Sequence, residues 1–361
     1  MTILQRYVLR EIWLPFVLSL ATLNFIFMGG YLVRVSRQII GQGIPLSDTL
    51  YLLFLALPEM ISYTVPTSLL AAVLLVVGGL SQNNEIRAMR ASGIDPMKVM
   101  RPAFLMGLAL SFFMFVFNDQ VASYTSFKLR LESKRMILKN PMSLIEPGRF
   151  VKISDSVTFH AKQVLANHEL RDIVAYENPG ADQAVRTIIA ERGEVVSSKS
   201  GNEIQIRLYD GTISDADGKS VQSIQFKTYE FPTLGQEDPR LINKKVRECS
   251  LAEIFVKLAK KGLSAQDVRE AWSIFHQRIA FAFGCFLFVF VGIPVAILVN
   301  RGEIVFSFGI AMAAASMYYI LFAGAKSLAF QGVLPPVIAF WLPNMILLGL
   351  GAHFSKKSFN L

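Results

Sequence analysis

The chain contains few of the residues from which catalytic and metal centres are usually built. Its two cysteines are Cys249, in a polar region, and Cys285, in an apolar run, so no disulfide between them is predicted. Four histidines are scattered along the chain: His160, His168, His276 and His353. None has the spacing of metal ligands. The sequence therefore predicts neither a metal site nor a disulfide framework.

Nucleotide-binding and hydrolase motifs are also missing. The tetrapeptide Asp217-Gly218-Lys219-Ser220 ends like a phosphate-binding loop, but that motif needs glycine at position 213, where the chain has Ile213. Neither G-x-S-x-G nor H-E-x-x-H occurs. We predict a hairpin turn at 217–220, no cofactor and no catalytic residue. If ATP is used, a separate protein must hydrolyse it.

Charge is scarce and unevenly placed. Only 17% of the residues are charged, whereas 53% are hydrophobic, and 28 are Phe. Acidic and basic residues nearly balance within 119–278, and most of the net charge of +9 lies in the apolar remainder. This pattern is typical of a membrane protein with a polar insertion, and it points to membrane orientation rather than to nucleic acid.

Six apolar stretches are long enough to cross a membrane. They are 12–33, about 50–80, 102–118, 279–300, 304–325 and about 335–356. A 22-residue helix is roughly 33 Å long, and a hydrocarbon core is about 30 Å thick. The third stretch is short and should recruit the polar residues that follow it. Residues 1–11 are predicted to form a separate amphipathic helix on the membrane surface.

The short flanks of these spans predict the orientation. With the N-terminus in the cytoplasm, nine cations lie inside: Arg6, Arg10, Arg87, Arg90, Lys98, Arg101, Arg301, Lys356 and Lys357. Three then lie in short outer loops: Arg34, Arg37 and Lys326. The excess of inside cations favours this topology, with both termini cytoplasmic and the polar insertion outside.

The insertion carries strand signals. From about residue 150, apolar and polar residues alternate, and turn signals occur at 178–180, 210–211 and 217–218. We predict an α-helical membrane protein of six transmembrane helices, three before and three after an inserted all-β domain of jelly-roll or β-sandwich type. The predicted divisions are 1–122 (amphipathic helix and spans one to three), 123–270 (β domain with linkers) and 271–361 (spans four to six).

The polar segment 81–102 separates the second and third spans and is predicted to be cytoplasmic. Ser81 can cap a helix that runs to about residue 91 or 92, and Gly93 can end it. Ile86 and Met89 would share one face of this helix.

Several short motifs, taken in order, resemble the lipopolysaccharide-export permeases of the LptF/LptG type. They are Arg6-Tyr7, Arg10-Glu11, Leu57-Pro58-Glu59-Met60 with Pro66, the stretch from Asn84 to Gly93, His276-Gln277-Arg278-Ile279-Ala280, Gly292-Ile293-Pro294, Leu334-Pro335-Pro336 and Trp341-Leu342-Pro343-Asn344. The resemblance covers essentially the whole chain and leans toward the F-type.

This resemblance implies a permease that works in the bacterial inner membrane and is not itself an enzyme. It would pair with a paralogous six-span permease and bind a dimer of a cytoplasmic ABC ATPase. It would extract lipopolysaccharide from the outer leaflet and pass it to a periplasmic jelly-roll bridge, in which a single-span bridge subunit takes part.

The resemblance also implies site residues. The ATPase-coupling helix matches Glu85, Ile86, Arg87, Met89, Arg90 and Gly93, with Glu85 in the position of the acidic contact. Arg34, Arg37 and Lys326 are candidates to contact the substrate's phosphates, although anchors that extend to the headgroups are common at span ends. We expect Glu59 near the outer interface in a structural role, and His276 and Arg278 as anchors of the fourth span.

Two other function classes stay open at this level. A mechanotransmission protein would move the external domain without carrying lipid. A lipid-modifying membrane enzyme would need acid and base residues brought together from distant parts of the chain.

Overall fold

The computed structural model describes residues 2–42, 46–139, 148–152, 157–165, 169–177, 186–197, 204–217, 220–231, 244–259, 264–299 and 304–359. Side chains are described for all of these except 34–42, 137–139, 152, 196–197, 204–205, 215–217, 220–222, 304 and 359. The chain forms two compact units. The helical unit comprises Met1–Tyr31, Phe54–Phe127 and Lys244–Leu361, and the other comprises Leu32–Leu53 and Lys128–Asn243.

Among the described residues, six helices are long and apolar enough to cross a membrane, as predicted. They are α1 (Ile3–Gln42), α2 (Leu46–Gln82), α4 (Pro96–Val116), α7 (Ala265–Val299), α8 (Ile304–Gln331) and α9 (Pro336–Phe359). Three shorter helices are α3 (Glu85–Ala91), α5 (Ser123–Lys139) and α6 (Leu251–Leu258). A π-helical turn, Phe117–Ala122, joins α4 to α5, so the third span does recruit the polar residues after it.

The N-terminal residues do not form a separate surface helix, and that prediction is wrong. Helix α1 is continuous from Ile3 and passes through Pro15. Val8, Ile12 and Phe16 recur every four residues and are buried in the helical core. Because this apolar stripe already begins before residue 11, packing holds the first turns in line with the span.

Helices α2 and α7 are the most buried of the six spans, and α1 and α8 are the least buried. Helix α7 packs against both α4 and α9. At Gly292 of α7, an added Cβ would lie 2.9 Å from Cδ1 of Leu70. The missing side chain therefore lets α2 approach α7 closely, as small residues do between membrane helices.

The six described strands form one antiparallel sheet in sequence order. They are β1 (Phe150–Lys152), β2 (Val157–Val164), β3 (Glu169–Glu177), β4 (Arg186–Ser197), β5 (Ile204–Asp217) and β6 (Ser220–Glu230). The pairing of Asp217 with Ser220 confirms the predicted hairpin turn between β5 and β6. The signal at 178–180 lies outside the described residues.

The predicted turn at 210–211 is wrong, because these residues lie inside β5. From β2 to β6, each pair of neighbouring strands has one position at which the two facing residues are not paired, and these positions line up at one level across the sheet. This level, which we call the crease, is formed by Lys162, Asp172, Glu191, Asp210 and Lys227. Asp172 and Asp210 have φ values of 51° and 54°, a backbone conformation that aspartate tolerates.

The crease shifts the alternation of side chains within a strand. In β3, Leu170 and Ile173 are both buried, and the two residues between them, Arg171 and Asp172, are both exposed. Each such site skips one residue on both paired strands, so the pairing register is kept while the alternation of side chains shifts by one residue.

The sheet covers its own apolar face. The rings of Phe159 in β2 and Phe231, which follows β6, lie 6.3 Å apart between centroids although three strands separate β2 from β6. Both side chains are buried, with Leu170, Ile173 and Ile188 in the same cluster. The inserted all-β domain is thus confirmed as one antiparallel sheet, and residues from near both of its edges share a buried cluster.

Candidate functional site

The segment between α2 and α4 carries the predicted coupling helix, α3. Ser81 does not cap this helix, contrary to prediction. It lies in the last turn of α2, where its Oγ donates to the backbone oxygen of Ile297 at 3.4 Å. The second span simply continues to Gln82, and a turn with Asn84 at φ 59° then redirects the chain into α3.

The end of α3 follows the prediction. Gly93 has φ +74°, and its N–H donates to the oxygen of Arg90 at 3.0 Å. The N–H of Ile94 donates to the oxygen of Met89 at 2.9 Å, which completes a common helix-ending pattern. Asp95 then caps α4 by accepting from the N–H of Met97 at 2.9 Å.

The six predicted coupling residues do not all face outward. Ile86 and Met89 are buried in the helical core, with 3% and 7% of their surface exposed. Arg87 and Gly93 are exposed, and Glu85 and Arg90 are half-buried.

Two arginines of α3 have partners within the helical unit. Nη1 of Arg87 donates to Oδ1 of Asn84 at 3.2 Å. Nη2 of Arg90 donates to the backbone oxygen of Ser358 near the end of α9 at 2.8 Å. Helix α3 is therefore fastened on its inner side, and Glu85 and Arg87 lie at its accessible edge.

A buried ion pair lies at the other end of the spans. Nη1 of Arg278 in α7 donates to Oδ1 of Asp119 in the π-helical turn at 2.5 Å, and both side chains are over 90% buried. We call this side of the helical unit the ion-pair end, and the side with α3 the loop end. The sequence signal was present, because each residue interrupts an apolar run, but nothing in the sequence paired them.

The same two side chains hold the linker that enters α6. Nη2 of Arg278 donates to the backbone oxygen of Cys249 at 2.7 Å, and also to Oγ of Ser123 at 2.6 Å. The N–H of Leu251 donates to Oδ1 of Asp119 at 2.7 Å. A buried charge needs such neighbours, because an unpaired one is strongly disfavoured. The network joins α5, α6 and α7.

Helix α6 begins with a second polar cluster. The N–H of Ser250 donates to Oε2 of Glu253 at 2.9 Å, and the N–H of Glu253 donates to Oγ of Ser250 at 3.3 Å, which forms a capping box. Nζ of Lys244 donates to Oε1 of Glu253 at 2.6 Å. This hydrogen bond is the main reason that the pKa of Glu253 lies below its ordinary value.

Of the three predicted phosphate contacts, only Lys326 has a described side chain. Arg34 and Arg37 fall within α1, but their side chains lie outside the described residues. Lys326 is half-buried on α8, with its Nζ 6.0 Å from the ring centroid of Phe330.

Polar side chains also join the spans. The hydroxyl of Tyr318 donates to Oδ1 of Asn344 at 2.9 Å, and Nδ2 of Asn344 donates to the oxygen of Ala280 at 2.8 Å. The hydroxyl of Tyr319 donates to the oxygen of Tyr63 at 2.6 Å. Such bonds hold α8 and α9 to α7, and α8 to α2, where apolar packing alone gives little preference over lipid.

The chain is similar to a known protein family over nearly its whole length. The family described as "Lipopolysaccharide export system permease LptF/LptG" matches residues 6–357. A protein of Rickettsia prowazekii (strain Madrid E), with the name "Uncharacterized protein RP871", is 23% identical over 143 residues. The similar region is 39% of this chain and 39% of that protein. The match thus spans well under half the length of this relative.

Proposed function

Because the chain belongs to the lipopolysaccharide export permease family LptF/LptG, we propose that it is the transmembrane subunit of an ATP-driven exporter in the bacterial inner membrane. It extracts lipopolysaccharide from the outer leaflet and delivers it to a periplasmic jelly-roll bridge. Its partners are a paralogous six-span permease, a dimeric cytoplasmic ABC ATPase and a single-span bridge subunit. ATP hydrolysis belongs to the ATPase.

The observation that carries this proposal is the family match over 6–357, a range that includes the spans, the polar segment 81–102 and the β domain. The least buried spans support it. Trp13, Phe25 and Ile26 of α1 are exposed. So are Met317 and Ile320 of α8. The exposed apolar faces of α1 and α8 suit contact with a paralogous permease and with lipid acyl chains.

The loop end is proposed to face the cytoplasm and to receive the ATPase. Glu85 and Arg87, at the accessible edge of α3, make the polar contacts. Ile86 and Met89 fix α3 to the helical core, so a displacement of α3 by the ATPase is transmitted to the spans. Arg90 and Gly93 complete the segment by binding the end of α9 and by ending the helix.

The ion-pair end is proposed to face the periplasm and the substrate's phosphates. Lys326 is half-buried on α8. A partly desolvated cation is stabilised by an anion beside it. Arg34 and Arg37 are the further contacts from α1.

Site-specific photocrosslinking tests the export function. A photoreactive residue at position 320 of α8, in cells that carry the whole transporter, should capture lipopolysaccharide, and capture should fall when ATP hydrolysis is blocked. A matched probe at position 288, buried in α7, should capture none. ATP-dependent movement of the β domain without any lipid adduct at α1 or α8 would favour mechanotransmission instead.

A further inference from the structure

Three exposed aromatic side chains surround the ion-pair end of the helical unit. They are Tyr124 of α5, Phe255 of α6 and Trp272 of α7, with 55%, 48% and 43% of their surface exposed. Val256, next to Phe255, is 64% exposed. Exposed aromatics are costly in water, so their common location calls for an apolar or interfacial neighbour.

The ion-pair network gives these residues a common height. Tyr124 is five residues beyond Asp119 along the third span, which corresponds to roughly 7.5 Å of helix rise. Trp272 is six residues before Arg278 in α7, or roughly 9 Å. Phe255 is on α6, four residues beyond Leu251, whose N–H binds Asp119, so α6 starts at the level of the ion pair.

Ring contacts support this estimate. Phe275 lies three residues before Arg278, at roughly 4.5 Å above it on the same scale. It packs edge-on against both Phe255 and Trp272, with centroids 5.7 and 5.6 Å apart. The exposed rings of α6 and α7 are therefore parts of one surface.

The span below the ion pair has the length of a hydrocarbon core. From Arg278, α7 continues through 279–299, a rise of roughly 31 Å, and a hydrocarbon core is about 30 Å thick. Arg278 and Asp119 then lie at one boundary of the hydrocarbon. The three aromatics lie just beyond it, within the headgroup region.

The exposed side of α6 suits lipid rather than a charged protein surface. Its polar residues are turned to the linker: Glu253 binds Lys244, and Nζ of Lys257 donates to the backbone oxygen of Lys244 at 3.2 Å. Phe255 and Val256 are left to face outward. An amphipathic helix of this kind, next to a span, typically lies in the membrane interface.

We propose that Tyr124, Phe255 and Trp272 form an aromatic belt in the headgroup region of the leaflet at the ion-pair end, and that the outward side of α6 rests in phospholipid. The position of these rings just beyond the buried ion pair, at one end of a span-length stretch of α7, carries this assignment. The proposal depends on the spans crossing the membrane and not on which lipid is exported.

Tryptophan fluorescence tests it directly. The full chain with Trp13→Phe and Trp341→Phe keeps Trp272 as its one tryptophan, and it is placed in nanodiscs of phosphatidylethanolamine and phosphatidylglycerol. Since interfacial aromatics sit at headgroup depth, a headgroup spin label should quench Trp272 about twofold or more compared with a label near the acyl-chain end. Acrylamide in the water should quench it weakly.

Three results would overturn the proposal. Strong quenching by acrylamide alone would place Trp272 in water. Strongest quenching by the deep label would place it in the hydrocarbon. Quenching by none of the three would mean that a protein partner covers the belt.

A spin label on the protein gives a second measurement if the tryptophan variants fold poorly. A label at Val256→Cys should be more accessible to oxygen than to a water-soluble nickel complex, because oxygen concentrates in lipid. A label at Gln266→Cys, which is exposed and lies six residues before Trp272 in α7, on the side away from the span, should show the reverse order. Both native cysteines are buried and should not react. Equal behaviour of the two labels would contradict the proposal.

Discussion

Arg278 and Asp119 lie 159 residues apart in the chain and form a buried ion pair between α7 and the π-helical turn. The β domain is inserted between these two positions. This ion pair therefore joins the place where the chain leaves the third span to the place where it enters the fourth.

Removing one partner of this pair should be strongly destabilising. Arg278→Ala leaves Asp119 buried without its cation, which typically costs about 3–5 kcal/mol. We expect a clear fall in the thermal unfolding temperature of the protein in detergent. The control is Lys245→Ala, which removes an exposed cation from the same linker and should leave the temperature unchanged.

In a double-mutant cycle, Asp119→Asn with Arg278→Gln should cost less than the sum of the single changes, and simple additivity would show that the pair is not coupled.

A charge reversal at Glu85 should release the ATPase. Glu85→Arg should lower co-purification of the ATPase at least roughly tenfold, because reversing an interfacial charge costs more than about 1.4 kcal/mol. Co-purification is measured with a tag on the permease. Asn83→Arg places the same cation on a neighbouring exposed residue and should have little effect. If the Glu85→Arg variant still co-purified with the ATPase at the normal level, Glu85 would not be a contact residue.

The buried side of α3 should matter through stability instead. Ile86→Ala removes a side chain from the helical core and should cost about 2–4 kcal/mol of local stability. Hydrogen exchange of α3 should rise, and coupling to the ATPase should weaken with it. Ala88→Ser, on the exposed side, is the control and should change neither. Faster hydrogen exchange of α3 in both variants would argue against a specific anchoring role for Ile86.

The cation at position 326 should contribute to lipid capture. Lys326→Ala should reduce lipopolysaccharide crosslinking severalfold, whereas Lys326→Arg should retain it because the charge persists. Gln331→Ala, an exposed change on the same helix, provides the control. The double variant Arg34→Ala, Arg37→Ala tests the other two predicted contacts in the same assay, and normal crosslinking there would exclude them.

The start of α6 should respond to acid. The pKa of Glu253 is lowered by its hydrogen bond from Lys244, so the carboxylate stabilises the folded state above its ordinary pKa. This contribution disappears as pH falls through the lowered pKa. The unfolding temperature of Glu253→Gln should thus lie below that of the unchanged protein at pH 7, and the difference should narrow as the pH is lowered below the ordinary pKa of a glutamate. A gap that is constant with pH would assign the effect to the capping box alone.

The spans and the inserted domain were predictable because each follows from a local pattern. Length and apolar composition identify a span, and alternation identifies a strand. Gly93 could be recognised as a helix end for the same local reason. The failures at Ser81 and at residues 1–11 arose where a neighbouring apolar stretch extended a helix past its local stop or start signal.

The contents of the site were less predictable because they depend on pairing across the chain. Asp119 and Arg278 each marked the edge of a span, and only folding brings them together. Likewise, the sequence placed Ile86 and Met89 on one face of α3 without indicating whether that face meets a partner or the protein's own core. The structure turns both inward.

The crease in the β domain limits how its sequence can change. Because strands β2 to β6 each skip one pairing residue at the same level, the shift in alternation is matched across all five strands. Deleting Asp172 alone would turn one half of β3 inside out against unaltered neighbours. Lasting insertions or deletions should therefore collect in the connections between strands, and a homologue without the crease would have to lose one residue from all five strands together.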